Sequence, residues 1–344
     1  MAAAVSSSTA PVEEKKFEQF DVVQDYSDHH FSNYVPHTRG MDMITKLLSK
    51  LHIVNSSEKK HQQTTGPKQE WVRRIQQEWK SLEKDLPEGI FVRVYEERMD
   101  LLRAVIVGSS GTPYHDGLFF FDVYFPSNYP DNPPLVHYHA HGLQLNPNLY
   151  DTGRVCLSLL GTWDGYGCER WNPKRSTLLQ VLVSIQGIVL NAQPYFNEPL
   201  YDDSEDDSED DGEDDDLVDS FVKQISLEYN ESTFLLSCQT MLYTIRQPPQ
   251  HFEDLVASHF RGRGRRILLA CKAYMEGATV GSETLSGVKG SPSPDFLSSL
   301  RCRFDSLLAE FKAGGADCEG LLPVGTPAVA DPQSKLSGVL NLFR

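Results

Sequence analysis

The sequence predicts an α+β domain, and three observations carry that reading. The run QEWVRRIQQEWKSLEKDL places Trp71, Ile75, Trp79 and Leu82 three or four residues apart, the spacing of one helix face. Short β-like runs follow, GIFVRVYEE, LLRAVIVGSS and GLFFFDVYF, joined by brief polar or Gly/Pro-marked stretches such as SSGTPYHDG. Further on, STLLQVLVSIQGIVLN at 176–191 is apolar almost all round, the mark of a largely buried helix.

Taken in chain order, residues 1–67 read as a mostly flexible N-terminal leader. They hold a polar start, an aromatic patch FEQFDVVQDYSDHHF, a short apolar repeat MITKLLSKL and the polar linker NSSEKKHQQTTGPK. The first helix begins after Pro67 and ends before Pro87. The β-like runs, with turn-length connections, predict an antiparallel meander. In YPDNPPLVHYHAHG three prolines end the third strand and lead an extended chain into a fourth, completing a four-stranded sheet. NPNLYDTGRVCLSLLGTW, residues 146–163, comes next on irregular backbone at the sheet margin, where a rigid scaffold often carries chemistry. After the apolar helix an acidic insertion occupies 202–216, and further helices broken at PPQ run to about 280. From 281 to 344 the chain reads as a low-complexity tail with one amphipathic helix near 295–311, where Phe296, Leu300, Phe304, Leu307 and Phe311 form an apolar stripe that reads as a core or docking helix rather than a ligand site.

Composition narrows the function classes. Of 48 acidic residues in 344, 12 fall in DDSEDDSEDDGEDDD, which leaves 36 against 32 basic residues and shows that the net charge of −16 is a local device. A nearly balanced body disfavours wholesale nucleic-acid binding, which needs a positive surface. No run of about 18 apolar residues occurs and the N-terminus lacks an apolar core after a basic start, so a soluble protein of the cytoplasm or nucleus is expected, with no membrane partner. The cysteines at 156, 168, 238, 271, 302 and 318 form no C-x-x-C pair, which argues against a zinc ribbon or redox dithiol and for free thiols.

One ordered string gathers these elements: a helix, a meander, a YP-x-x-PP turn, N-P-N followed eight residues later by the cysteine of V-C-L-S, a Trp-x-Pro and a buried crossover helix. Over about 68–280 it resembles the catalytic domain of ubiquitin-conjugating enzymes. The family turn usually reads H-P-N; here Asn148 and Cys156 keep the family spacing while Asn146 replaces the histidine. The fifteen-residue stretch from Cys156 to Trp171 is longer than in most members, and with NAQPYFNEPL it looks like the large hybrid conjugating and ligase-type enzymes and their plant relatives.

The resemblance implies a definite chemistry. Cys156 would carry ubiquitin as a thioester, received from an activating enzyme, and pass it to a substrate lysine; sulfur suits both halves because a thiolate attacks well and leaves well. Asn148 matches the residue whose amide serves the developing oxyanion or orders the loop. Glu198, in NEPL where the family commonly has aspartate, would help the incoming lysine lose its proton, with Asn197 or Tyr195 orienting it. No bound cofactor or metal is implied, ATP being consumed upstream by the activating enzyme. Asn146 is expected to organise the loop, and Leu149 and Leu157 to pack it. The RING-facing positions hold Asp131, Asn132, Asn172, Pro173 and Lys174 rather than the family's usual pattern, which argues against a conventional RING-ligase contact.

The remaining features have bland and functional readings side by side. The acidic run is a solvated loop or a lure for basic substrates that salt would weaken, with Ser204 and Ser208 resembling acidophilic kinase sites. It could also cover RGRGRR at 261–266, otherwise a candidate for nuclear import or weak nucleic-acid contact. Cys168, within the insertion Thr162 to Arg170, is a remote candidate for a second acyl acceptor. His137, His139 and His141 alternate on one strand face at a spacing that could serve zinc, although strand alternation alone accounts for them. The competing functions are a catalytically inert ubiquitin-binding adaptor of the same fold, conjugation of a different ubiquitin-like modifier, and, more remotely, a cysteine hydrolase, for which no partner histidine motif is recognisable.

Overall fold

The computed structural model describes residues 17–34, 67–163, 167–197, 215–282 and 292–325. Helix α1 (Pro67–Asp85) lies where the spacing predicts, with Trp71, Ile75, Trp79 and Leu82 all buried. Three strands form the antiparallel meander: β2 (Ile90–Tyr95), β3 (Leu101–Val107) and β4 (Leu118–Tyr124). The fourth expected strand, β5 (Leu135–Tyr138), pairs antiparallel with β4.

A fifth strand departs from the expected four. β1 (Phe20–Val23), from the supposed flexible leader, pairs parallel with β2 and makes the sheet order β1-β2-β3-β4-β5. Its own sequence, FDVV, buries little; long-range polar contacts hold the segment. The Gln19 side-chain amide donates to the Pro87 and Ile90 carbonyls, Asp28 pairs with Arg103 at 2.7 Å, and the backbone N–H of His30 donates to Asp122 at 2.7 Å. Residues 1–16 and 35–66 lie outside the described residues.

The central strands are hydrophobic on both faces because both faces are covered. One face, including Val92, Val94, Ala104, Ile106, Phe119 and Phe121, packs on α1 and on the crossover helix α2 (Leu178–Ser184). The other presents Val105, Leu118 and Phe120 to a second core built by α3 (Asp215–Arg246), α4 (Glu253–Met275) and α5 (Pro294–Ala313). The apolar stripe expected in a low-complexity tail is thus core: Phe296, Leu300, Phe304, Leu307 and Phe311 are at most 3% exposed. The ordered body accordingly runs past the boundary expected at 280.

α2 also departs from expectation. It is not buried all round, since Val183 and Ile188 are exposed. It is capped by Thr177, whose hydroxyl accepts from the Gln180 N–H while the Gln180 side chain returns to the Thr177 N–H. It then widens into a π turn, Ile185–Val189, closed by Leu190 N–H on the Ile185 carbonyl at 2.9 Å. That widening leaves carbonyls at its end for other donors.

Candidate active site

The cysteine loop is shaped by pairing with itself. Isolated bridges join Asn146 to Leu149 and Leu149 to Val155, folding the N-P-N turn back on the chain that enters the cysteine. The Cys156 N–H donates to the Asn148 carbonyl at 2.9 Å, and the Asn148 side-chain amide donates to the Cys156 carbonyl at 3.1 Å. The eight-residue spacing read from the sequence is therefore a direct two-way contact. Cys156 is a free thiol, 2% exposed, among buried Leu149 and Leu157. Thr162 brackets it from the far side, its hydroxyl donating to the Val155 carbonyl at 2.7 Å and accepting from the Leu157 N–H at 2.9 Å.

Asn146, fully buried, satisfies both ends of its amide. Its Nδ2 donates to the Tyr114 hydroxyl at 2.7 Å and to the Val189 carbonyl at 2.8 Å, at the end of the π turn. Its Oδ1 accepts from the Asn148 N–H at 2.8 Å and, more loosely, from Asn197 Nδ2 at 3.4 Å. Asn197 also donates to the Val189 carbonyl at 3.0 Å and accepts from Asn191 Nδ2 at 2.6 Å. Three asparagines thus tie the Asn148 turn, the crossover helix and the segment leading toward NEPL into one amide network. Glu198 itself lies outside the described residues, as do Ser204, Ser208 and the acidic run through 214. Tyr195 stacks edgewise on Phe196 and leans on Tyr229.

The start of the crossover helix is pinned by Glu78, which is 2% exposed on α1. One carboxylate oxygen accepts from the Tyr129 hydroxyl at 2.6 Å and pairs with Arg74 at 2.9 Å, while the other takes the Leu178 N–H at 3.0 Å. One buried acid therefore joins the first helix, the YP-x-x-PP turn and the start of α2. Burial, with the Glu78 charge, pushes the Tyr129 hydroxyl's pKa well up, so it remains a donor. Trp171 closes the insertion by donating to the Pro130 carbonyl at 2.7 Å and packing on Tyr129. Asp131, Asn132, Asn172 and Lys174 are exposed, and Pro173 is half-buried. The backbone of Cys168 falls in a short turn of helix, Gly167–Glu169.

β5 ends at Tyr138, and the rings of His137 and His139 lie 6.4 Å apart, but each of the three histidines of HYHAH has a different partner. His137 stacks flat on His30 at 3.5 Å, His139 reaches Asp122 at 3.1 Å, and His141 packs on Tyr243. Among the described residues no group of three or more His, Cys, Asp or Glu could hold a metal ion. Asp122, fully buried, is the hub: it takes Arg103 at 2.6 and 2.9 Å and the His30 N–H. Burial would raise its pKa, but the hydrogen bonds from His139 and Arg103 outweigh that and hold it well below the usual carboxylate range. Burial drives His29 down to about 4 despite Asp122 nearby, since that charge is already engaged by Arg103. Burial and its stacked neighbour His30 likewise bring His137 to about 4. Gly153 permits this arrangement: its φ is +86°, and a Cβ there would lie 2.1 Å from the His137 ring.

RGRGRR is not a loose basic patch. It lies inside α4, with Arg263 and Arg266 on buried Asp116, Arg265 on Asp317 and the Glu319 carbonyl, and Gly264 against the Phe311 ring. Sequence reasoning missed Glu78, Thr162 and Asn191, whose partners lie 51, 7 and 6 residues away; only the nearer two stood close enough to the cysteine segments to be suspected.

A cysteine paired with an asparagine turn thus sits beside a crossover helix on a meander. The family model described as ubiquitin-conjugating enzyme matches residues 74–216. Two plant proteins and one human protein extend the comparison. The putative ubiquitin-conjugating enzyme E2 38 of Arabidopsis thaliana is 49% identical over 287 residues, covering 83% of this chain and 76% of that protein. The chain belongs to the ubiquitin-conjugating enzyme family. It is also 48% identical over 293 residues to the probable ubiquitin-conjugating enzyme E2 25 of Arabidopsis thaliana, covering 84% of this chain but only 41% of that protein. To the human dual E2 ubiquitin-conjugating enzyme/E3 ubiquitin-protein ligase BIRC6 it is 39% identical over 211 residues, 59% of this chain and 4% of that protein.

Proposed function

We propose that the chain accepts ubiquitin from an activating enzyme as a thioester on Cys156 and transfers it to a substrate lysine. The Cys156 thiolate attacks the C-terminal glycyl carbonyl held in the donor thioester, and the donor's thiolate departs. A lysine amine then attacks the new thioester, loses its proton, and releases the Cys156 thiol. The observation that carries the reading is the two-way contact between Asn148 and Cys156. In the resting loop the Asn148 amide is engaged with the Cys156 carbonyl, so it orders the loop; turning from that carbonyl toward the thioester would let the same amide serve the oxyanion. Glu198 would lower the cost of deprotonating the lysine, and the Asn191–Asn197 contact would steady the chain that leads to it.

The same reading assigns ATP use to the activating enzyme and basic proteins to the acidic run as substrates. The name of the human relative supports ligase character as an extension of it. The test is incubation with activating enzyme, ATP and ubiquitin, followed by electrophoresis with and without reductant. Wild type should give a reductant-sensitive adduct that Cys156→Ala lacks; no adduct on wild type would leave an inert adaptor, and an adduct only with another modifier would reassign the cargo.

A further inference from the structure

A cleft of about 280 Å³ opens beside the cysteine loop, and the docked N-terminal segment completes it. Its floor is the outer edge of β5 and the chain Thr152–Val155, which runs directly into Cys156. Phe31 and His30 from the N-terminal segment close one side, and Leu160 and Thr162 from the loop after the cysteine close the other. Leu135, 45% exposed, supplies an apolar lip.

The charge in this cleft has one sign. Arg154, exposed and two residues before Cys156, is the permanently charged residue on its walls, and no carboxylate lines it. The guanidinium sits over the Tyr150 ring at 5.8 Å and donates to the Thr162 carbonyl at 3.5 Å, on the loop that closes the cleft. Two residues of extended chain span about 7 Å. An acceptor polypeptide whose lysine reaches Cys156 along this side would pass its neighbouring side chains across Arg154 and Leu135.

We propose that this cleft is an acceptor-side subsite, in which Arg154 selects a carboxylate near the acceptor lysine while the exposed Leu135, backed by buried Phe31 and Leu160, receives an apolar neighbour. The proposal rests on the thioester reading of Cys156 and adds a sequence preference near the lysine, opposite in sign to any long-range attraction of basic proteins by the acidic run.

The test loads the full chain with ubiquitin, removes the activating step, and follows discharge onto short lysine peptides. The peptides differ only in carrying glutamate, glutamine or arginine two residues from the lysine. Each rate is divided by the same variant's discharge onto free lysine, so that changes common to all acceptors cancel. Wild type should favour glutamate over glutamine peptides by about threefold, the scale of a partly exposed ion pair. Arg154→Gln should bring that ratio to one, Arg154→Glu should turn it toward arginine peptides, and Leu135→Glu should lower it. Equal ratios for wild type and both Arg154 variants, with thioester formed, would overturn the subsite alone. Failure of wild type to form a thioester would overturn the reading beneath it, and the subsite with it.

Discussion

Replacing Asn146 by alanine should damage both stability and transfer, by amounts that follow from its contacts. The side chain makes three short hydrogen bonds, at 2.7, 2.8 and 2.8 Å, from a fully buried position. At about 1 kcal/mol net for each, the change should cost about 3 kcal/mol. The loss should not greatly exceed that, because the Val189 carbonyl keeps Asn197 and the Tyr114 hydroxyl can still reach the Leu145 carbonyl at 3.4 Å. What has no substitute is the bond that holds the Asn148 N–H, so the turn carrying the Asn148 amide should loosen. Equilibrium denaturation reads the first effect. Single-turnover discharge of preloaded enzyme onto lysine reads the second, where a tenfold or greater loss is expected while loading from the activating enzyme persists. Asn146→His, the residue more usual in the family, should recover part of both. A variant within about 0.5 kcal/mol of wild type that also discharges normally would refute the argument that this amide positions the loop.

Other consequences can be checked together. Phe304→Ala, in the fully buried stripe of α5, should cost about 3–5 kcal/mol by denaturation, whereas a residue in a loose tail would cost almost nothing. Glu78→Gln should cost about 2 kcal/mol or more, since the carboxylate binds Tyr129, Arg74 and the Leu178 N–H at once. His29 has a folded pKa near 4, below its ordinary value of 6.5, so the unfolded chain takes up the proton first. Stability should be intact above pH 6.5 and fall as the pH drops toward 4, and His29→Gln should flatten that slope in a pH series of denaturation midpoints.

How far the sequence reveals this molecule depends on the range of the interactions involved. The helix with Trp71, Ile75, Trp79 and Leu82 and the runs of the meander were legible because periodicity is local and each segment buries most of one face. The stripe of α5 was legible as a core or docking helix, but which of the two was not, since its partners on α3 and α4 lie far off in sequence. β1 was not legible: FDVV leaves Asp21 and Val22 exposed, and Asp28 and the His30 N–H hold the segment only through residues 75 and 92 positions away. RGRGRR misled for a related reason, because a charge run shows its net charge while the buried Asp116 that pairs with it is invisible at that distance. At the site, the Asn148 and Cys156 spacing was readable because both partners lie in one short loop. The wider asparagine network depends on a π turn that composition does not announce.

The central claim is that Cys156 is the acyl carrier, and Cys156→Ser tests it most directly. With activating enzyme, ATP and ubiquitin, this variant should form an adduct that survives thiol reductant, is cleaved by hydroxide, and maps by peptide mass spectrometry to residue 156. An adduct mapping instead to Cys168 or another cysteine, or forming equally well on Cys156→Ala, would contradict the account.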